Sequence, residues 1–374
     1  MTRRFWGLTR RQTIAVVAGA AVLGITIGIV LGPTGGDSDQ RPRTAPSVER
    51  VKPGAAGSAD AVWVFGFETL RFNDRLEDAQ QLGVRGFGSV QGDAARVFMF
   101  DPTTGRVGSL DARRNRLSVI TLLPPGTAEP NAFLPSIARS GSTLWLVSDP
   151  GVLTPFDLAR SEVGQPVDVT RSAEDALDRR ATGVAAGPNG VFAATVTPGG
   201  IEIARIDPAT GNVVTSTEIT GSGMSAPLGG FAADPDRLWL SSGNTLYTFD
   251  PATLALVRTD ELGSRSPGST QGLVAAGGDA WMLTDNGATL SRLRSATGEL
   301  DPVLRIQQQV PAEFRIPASL VTDGGRVFAM VRRRDVAGDL TVRVVGFDVE
   351  REVPTRGIDV PGDIAPGALA VSGR

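Results

Sequence analysis

The sequence contains no cysteine and no histidine. The missing cysteines exclude disulfides, thiolate nucleophiles, iron–sulfur clusters and a lipid-modified cysteine anchor. The missing histidines exclude imidazole acid–base catalysis and every histidine-ligated metal site. Most familiar enzyme mechanisms are therefore closed to this chain, and the sequence assigns no catalytic residue, no metal ligand and no cofactor.

Lysine is also nearly absent, because only Lys52 among the 37 basic residues is a lysine and all the others are arginine. Lys52 lies in a segment rich in Pro, Gly and Ala, so a Ser/Lys catalytic pair is excluded. No Asp-x-Asp-x-Asp-Gly loop occurs, and a calcium site is therefore not predicted. Glycine and proline number 46 and 25 among 374 residues, too few for a disordered chain, and most of the protein is expected to be globular.

One long uncharged run stands near the N-terminus, from Thr13 to Leu31. Nineteen residues in a helix extend about 28 Å, close to the thickness of the hydrocarbon core of a bilayer. Four arginines precede the run: Arg3, Arg4, Arg10 and Arg11. Their excess places the N-terminus in the cytoplasm. The sequence therefore predicts a cytoplasmic segment 1–12, a transmembrane signal anchor 13–32, a flexible linker 33–60 and an extracytoplasmic domain 61–374.

A cleaved signal peptide is the alternative, since Arg10-Arg11 before an apolar run also resembles a twin-arginine export signal. The protein would then be secreted. Within the predicted span, Gly24, Gly28 and Gly32 recur on one helix face and could let a second helix approach closely, as in a helix-mediated dimer. Their spacing is equally typical of the glycine content of membrane helices.

The exported part carries 33 basic and 40 acidic residues, a formal charge of −7. This balance argues against binding to nucleic acid or to anionic lipid.

The exported part contains an internal repeat, which is marked by short strand-forming runs centred on an aromatic residue. The seven aromatic residues are Trp63, Phe98, Trp145, Phe192, Trp239, Trp281 and Phe328. The last six are spaced 47, 47, 47, 42 and 47 residues apart. Eight residues before each of these six lies an apolar residue in a short run rich in small side chains: Val90, Ile137, Val184, Phe231, Leu273 and Leu320. Turn-forming residues separate the two runs, as a tight hairpin requires.

A third strand follows in each repeat and mostly ends in an apolar residue and an aspartate. The exception is the repeat that ends in Leu293-Arg294. A short turn then leads to a fourth strand. Four short antiparallel strands per 42 to 47 residues are typical of one blade of a β-propeller, which buries both faces only against neighbouring blades. The predicted fold class is therefore all-β.

The two ends of the repeat region determine the predicted blade count. The run Gly367-Ala368-Leu369-Ala370-Val371 repeats the inner-strand pattern but has no partner strand after it, whereas Trp63 begins an aromatic strand with no inner strand before it. Pairing the C-terminal inner strand with the N-terminal outer strands would close the ring and remove open sheet edges. The sequence therefore predicts seven blades, with six or eight as the alternative counts.

The Asp-Pro-Ala-Thr-Gly turn at 207–211, with weaker copies at 101–105, 250–253 and 295–298, resembles bacterial propellers of the YVTN and quinoprotein-like groups. The chain is also similar to the membrane-anchored propeller of some actinobacterial exported proteins that carry fibronectin type III modules. Catalytic members of the wider group depend on residues missing here: the quinoprotein repeat tryptophan and the histidine of streptogramin lyases. The resemblance therefore implies a fold more firmly than an activity.

Strand parity puts the second-to-third connections and the blade-to-blade connections on one face of the ring, where the long insertions collect. Propellers generally bind partners through such loops. The candidate partner-binding residues in these insertions are Glu174, Asp175, Arg179, Arg180, Arg265, Arg315, Arg332, Arg333 and Arg334. The segment 172–180 is predicted to form a helical turn. The three consecutive arginines could bind carboxylates or phosphates, or could only keep a long hairpin soluble.

Two functions remain open from the sequence. The first is a non-catalytic, membrane-tethered propeller outside the cytoplasmic membrane that binds an unidentified protein or cell-envelope polymer as a scaffold or sensor. The second is a hydrolase, lyase or quinoprotein-like oxidoreductase that uses carboxylates with a bound metal or quinone.

Overall fold

A computed structural model describes sixteen segments of the chain. They are residues 49–51, 60–65, 69–73, 75–76, 80–82, 89–93, 95–101, 104–124, 135–170, 181–220, 228–262, 272–284, 288–306, 315–334, 340–360 and 368–372. All of these belong to one unit, Ala45–Arg374. No helix long and apolar enough to cross a bilayer occurs among these segments. The predicted span 13–32, with Gly24, Gly28 and Gly32, lies outside them.

The described residues form thirty strands. The first fifteen are β1 (Glu49–Val51), β2 (Ala61–Phe65), β3 (Thr69–Asn73), β4 (Gln80–Leu82), β5 (Ser89–Gly92), β6 (Arg96–Asp101), β7 (Arg106–Asp111), β8 (Arg116–Leu122), β9 (Ile137–Ser140), β10 (Thr143–Asp149), β11 (Val152–Asp157), β12 (Glu162–Val163), β13 (Val167–Asp168), β14 (Thr182–Gly187) and β15 (Gly190–Thr197). The others are β16 (Gly200–Ile206), β17 (Val213–Thr220), β18 (Leu228–Ala233), β19 (Leu238–Ser242), β20 (Thr245–Phe249), β21 (Leu256–Glu261), β22 (Leu273–Ala276), β23 (Asp279–Thr284), β24 (Thr289–Leu293), β25 (Leu300–Arg305), β26 (Arg315–Thr322), β27 (Arg326–Arg334), β28 (Leu340–Asp348), β29 (Val353–Val360) and β30 (Ala368–Ser372).

These strands pair into seven sheets, the blades of the ring. Blade 1 is β5–β8, blade 2 is β9–β13, blade 3 is β14–β17, blade 4 is β18–β21, blade 5 is β22–β25 and blade 6 is β26–β29. Blade 7 combines β30 from the C-terminal end with β2, β3, β4 and β1. Within blades 1 to 6 consecutive strands pair antiparallel, as the sequence repeat predicts. In blade 2 the outer strand is split into β12 and β13, which both pair with β11.

The hydrophobic residues are buried between blades. Among the described residues seven apolar clusters form, and each joins two neighbouring blades of a closed circle. The second strand of a blade is covered on both faces, so β19 and β23 are buried along their whole length. The outer strand β21 instead alternates between exposed and half-buried residues. This pattern explains why the central runs of each repeat are continuously apolar rather than alternating.

The two ends of the chain close the ring as the sequence predicts. Strand β30 pairs antiparallel with β2, with Leu369 opposite Val64 and Ala370 opposite Trp63. The indole Nε1 of Trp63 donates a hydrogen bond to Ser372 Oγ at 2.9 Å. An all-β, seven-bladed β-propeller is therefore confirmed.

Inner strands approach one another closely around the ring. A Cβ atom at Gly92 of blade 1 would lie 1.5 Å from the carbonyl oxygen of Val371 in blade 7. A Cβ at Gly230 of blade 4 would lie 2.4 Å from Leu273 Cβ of blade 5. Since no side chain fits at these two positions, glycine is required there by close backbone packing.

Two sequence predictions need correction. The linker predicted over 33–60 contains β1, which pairs parallel with β4, Glu49 lying opposite Gln80. The free edge of β4 offers backbone hydrogen bonds that need no apolar pattern, so a three-residue strand leaves little trace in the sequence. In addition, Arg332, Arg333 and Arg334, which are predicted in a loop-face insertion, continue the backbone of β27 and pair with β28.

Candidate binding surfaces on the two faces of the ring

The antiparallel order of each blade defines two faces. The turns between first and second strands and between third and fourth strands lie on one side, here named the turn face. The second-to-third and blade-to-blade connections begin and end on the other side, here named the loop face. The candidate partner-binding residues Glu174, Asp175, Arg179, Arg180 and Arg265 fall in loop-face connections outside the described residues.

Four of the predicted site residues fall within described strands. Arg315 begins β26 and lies directly opposite Arg333 of β27 in the antiparallel register. Arg332 lies opposite Val342, and Arg334 lies opposite Leu340 at the loop-face end of the β27–β28 hairpin. The fold therefore brings Arg315 to the three consecutive arginines, although they are 17 or more residues apart in sequence.

A polar row outside the set of predicted site residues crosses blade 3 near the loop face. Thr182, Thr195 and Glu202 are opposite neighbours on three adjacent strands, and all three are buried. Thr182 Oγ1 lies 3.1 Å from Thr195 Oγ1 and accepts a hydrogen bond from the Gly151 N–H of blade 2 at 2.7 Å. A single acidic residue in a strand usually faces water, so Glu202 alone does not indicate a buried row. The alternation of side chains in the strand around Glu202 was the only sequence signal for it.

The turn face is built from aspartates that cap their own turns. In blades 2, 3, 4 and 6 an aspartate oxygen accepts one or two backbone N–H groups from the turn that follows, at 2.8–3.0 Å. These aspartates are Asp157, Asp207, Asp250 and Asp348. The donated hydrogen bonds stabilise the carboxylate and lower the pKa of each one below its ordinary value.

Blade 5 forms the same turn without an aspartate of its own, because Arg294 stands in that position. Asp279 on the neighbouring strand supplies the missing acceptor: its Oδ1 receives the Ser295 N–H at 2.7 Å. Its Oδ2 receives Arg292 Nε at 2.6 Å, and Arg292 also donates to Glu352 of blade 6 at 2.5 Å. The deviant Leu293-Arg294 pair is therefore compensated from within the blade.

Side chains on the turn face also join neighbouring blades. Arg139 of blade 2 forms an ion pair with Asp93 of blade 1. Asn189 Nδ2 of blade 3 donates to the carbonyl oxygen of Pro235 in blade 4 at 2.6 Å. Asp234, beside that contact, caps the turn before Arg237, and burial raises its pKa. Asp323 caps its own hairpin turn in the same way as Asp234, because its Oδ1 accepts the Arg326 N–H at 2.7 Å.

The described carboxylates therefore serve mainly as caps and ion-pair partners. Within the described segments no group of three or more potential metal ligands of the His, Cys, Asp or Glu type comes together. The first strand of each blade is rich in small and apolar residues, among them Ala185, Ala232 and Ala275. The arginine hairpin of blade 6 and the buried polar row of blade 3 both lie toward the loop face.

The fold and the two faces define the class of protein as a seven-bladed β-propeller. No protein-family model and no curated protein matches the sequence. Among solved structures, apo AztD from Citrobacter koseri is similar, with 11% identity, a TM-score of 0.56 and coverage of 85% of this chain and 100% of that one.

Two further solved structures resemble the chain. A catalytically inactive virginiamycin B lyase from Staphylococcus aureus with quinupristin has 13% identity and a TM-score of 0.51, covering 75% of this chain and 91% of that one. A chain of the mitotic checkpoint complex has 12% identity and a TM-score of 0.50, covering 74% and 79%. At such identities the likeness shows the fold alone.

Proposed function

We propose that the chain is a membrane-tethered propeller outside the cytoplasmic membrane that binds a protein or an anionic envelope polymer through its loop face without catalysing a reaction. The uncharged run 13–31 and the arginines before it support the tether and its orientation. The complete lack of histidine and cysteine in the sequence supports binding rather than catalysis. The resemblance to YVTN and actinobacterial fibronectin-associated propellers agrees with an exported, anchored protein and remains a prediction.

The observation that carries the binding proposal is the backbone register of Arg315 and Arg333 on the loop-face hairpin of blade 6. Two like charges at opposed positions of a sheet are unfavourable in the absence of a counter-charge. Arg332 and Arg334, the neighbours of Arg333 in β27, add two more positive residues at this end of the hairpin. A carboxylate or phosphate supplied by a partner would relieve this repulsion, and arginine is well suited to bind either group.

The second candidate is an enzyme that uses carboxylates, with a metal or quinone as the cofactor it would require. The observation in its favour is the buried Glu202 beside Thr182 and Thr195 near the loop face. Buried ionisable groups in such positions often take part in catalysis, although they also occur in purely structural networks.

Crosslinking of the full-length chain in its native membrane tests the first proposal. A photo-crosslinking residue is placed at Pro198, which is exposed in a loop-face turn of blade 3. We expect a specific envelope partner to be captured, and its yield to fall strongly when Arg332, Arg333 and Arg334 are changed to glutamate. Arg351→Glu on the turn face is the matched control.

If the envelope partner is still captured after the triple charge reversal, these three arginines do not contribute to its binding. Recovery of the chain in the soluble exported fraction would contradict the tether. A metal or quinone that copurifies with the chain, together with turnover abolished by Glu202→Gln, would establish the enzymatic alternative instead.

A further inference from the structure

The turn face carries its charge unevenly. In blade 1 the two turns and their flanking residues hold four arginines, Arg96, Arg113, Arg114 and Arg116, against the two aspartates Asp93 and Asp111. The corresponding residues of each of the other six blades carry a net negative formal charge. The net charge of the exported part is negative, but the two turns of blade 1, here named the positive sector, carry a net positive charge. Because charges are screened within about 8–10 Å at physiological salt, this sector acts locally and not as part of the total.

The four arginines of blade 1 are held close together by the backbone. Arg96 lies opposite Asp111, and Asp111 lies opposite Arg116, so two arginines flank one aspartate on adjacent strands. Asp111 Oδ1 accepts the N–H groups of Arg113 and Arg114 at 2.9 Å each, which fixes the turn between the strands. These four residues, the blade 1 arginines, form a compact group.

Their guanidinium groups are available to a ligand. All four blade 1 arginines are exposed. Asp93, the second acid of the sector, is engaged by Arg139 of blade 2. Among the ion pairs of the described segments none involves a blade 1 arginine.

The first described strand after the predicted anchor, β1, belongs to blade 7, which is next to this sector in the ring. Strand β4 runs from the turn face to the loop face, and β1 is parallel to it, with Glu49 opposite Gln80 and Val51 opposite Leu82. The N-terminal end of β1 therefore lies toward the turn face at the outer edge of blade 7. Blade 7 packs directly against blade 1 through a shared apolar cluster that includes Trp63 and Met99.

We propose that the blade 1 arginines dock the blade 1 edge of the turn face onto the anionic lipid headgroups of the membrane that holds the tether. Guanidinium groups bind phosphate oxygens in a bidentate manner, and a tether raises the effective concentration of the surface. This proposal rests on the membrane tether of the proposed function and adds an orientation to it. The loop face, with the arginine hairpin of blade 6, then points away from the bilayer and toward the envelope.

The test uses the full-length chain in phosphatidylcholine vesicles with or without phosphatidylglycerol. The absence of native cysteine allows single labels, so one fluorophore is attached at Ser142→Cys on the turn face and, in a separate protein, at Thr104→Cys on the loop face. A quencher is carried on the lipid headgroups. We expect stronger quenching at Ser142→Cys than at Thr104→Cys, only in vesicles that contain phosphatidylglycerol, and loss of the difference at high salt.

Arg113→Gln and Arg114→Gln should lower the ratio of docked to undocked protein about fivefold for each arginine removed. Flotation with the vesicles should be unchanged, because the tether remains. Arg351→Gln is the matched control: Arg351 is an exposed turn-face arginine of blade 6, where it pairs with Asp348 at 3.1 Å, and its removal should leave the quenching unchanged.

The two proposals fail in different ways. A chain that does not float with vesicles would overturn the tether and the docking together. A chain that floats but shows equal quenching at both labels, or no dependence on phosphatidylglycerol, would overturn the docking and leave the tether intact. Retention on immobilised polyphosphate that depends on Arg113 and Arg114, without lipid quenching, would assign the sector to a soluble polyanion and overturn the proposal.

Discussion

Blades 7 and 5 contain the same pair of side chains, a tryptophan and an arginine, but support it differently. In both, a tryptophan on the second strand lies opposite an arginine on the third, with the guanidinium carbon 5.5 Å from the Trp63 ring and 5.6 Å from the Trp281 ring. In blade 7 the indole N–H is accepted by the Ser372 side chain. In blade 5 it is accepted by the backbone oxygen of Ala276 at 3.0 Å.

The arginines also differ in their partners. Arg71 of blade 7 donates to the neutral amide oxygen of Gln80 at 3.1 Å, and burial lowers its pKa. Arg292 of blade 5 binds the carboxylates of Asp279 and Glu352. The pair in blade 5 is thus held by a backbone acceptor and ion pairs, whereas the pair in blade 7 is held by the neutral side chains of Gln80 and of Ser372, which comes from the other end of the chain.

Removal of residues 368–374 should give the largest effect, because it deletes β30 from blade 7. Strand β2 would lose its partner, and the apolar groups packed against Leu369 would be exposed to water. We expect loss of the cooperative unfolding transition in circular dichroism and binding of a hydrophobic dye. Removal of only 373–374, beyond β30, is the control. A truncated chain that unfolds cooperatively near the midpoint of the intact chain would show that closure is not required.

Arg292→Met should be the next most disruptive change. The change leaves the carboxylates of Asp279 and Glu352 without their cation at a half-buried site. When such a site is well buried, loss of one member of an ion pair lowers the free energy of unfolding by about 3–5 kcal/mol. Arg71→Met should cost less, because the hydrogen bond to Gln80 that it removes has an uncharged acceptor. Urea unfolding followed by tryptophan fluorescence measures both. Asp279→Asn added to Arg292→Met should recover part of the loss, and an equal cost for the two arginines would remove the distinction between the blades.

Ser372→Ala should lower the free energy of unfolding by about 1–3 kcal/mol, because it leaves the buried Trp63 N–H without its acceptor. Ser372→Thr keeps a hydroxyl and should restore most of the stability. The same urea titration provides the measurement. If alanine were neutral, the closing hydrogen bond would have no energetic role, and the β2–β30 backbone pairing would account for the closure alone.

The sequence predicted the ring more completely than its surfaces. The fixed offset of eight residues placed Val64 and Leu369 in one blade, because burial between blades imposes the same apolar residues in every repeat. Strand β1 was missed, since its pairing depends on backbone groups of β4 and on no side-chain pattern. The cap supplied by Asp279 was also missed, because a contact across strands has no fixed spacing in sequence.

The candidate site could be predicted only as a set of arginines. Their consecutive positions at 332–334 were visible, but the register that puts Arg315 opposite Arg333 depends on an irregularity in the pairing between Ile316 and Ser319. The positive sector of blade 1 was hidden by the net charge of the chain. It emerges only when each turn is compared with its counterpart in the other blades.

The smallest expected effect concerns acid stability and distinguishes blades 5 and 7 from four others. Blade 7 has Asn73 at the capping position, where it accepts the Arg75 N–H at 3.0 Å, and blade 5 has Arg294. In blades 2, 3, 4 and 6 the folded pKa of the capping aspartate is lowered. Each therefore contributes stability that is present above the unfolded pKa of about 3.9 and is lost as the pH falls through the lowered folded value.

Asp207→Asn keeps an acceptor oxygen but removes the titration. The variant should lose less stability than the parent between pH about 4 and 2, as measured by thermal unfolding at successive pH values. Asp359→Asn, at an exposed position on β29, is the control and should follow the parent. A steeper acid loss in Asp207→Asn would contradict the stabilising role of the charged cap.

Because Trp63 pairs with β30, blade 7 cannot form during biosynthesis until β30 has been made. The hydrogen-bonded residues Trp63 and Ser372 are separated by 309 positions. At typical translation rates the ribosome needs about 15–60 s to produce that length of chain. Throughout this interval β2 has been synthesised but its partner β30 has not. Newly made molecules therefore expose an apolar strand edge, which must be protected from aggregation until synthesis is complete.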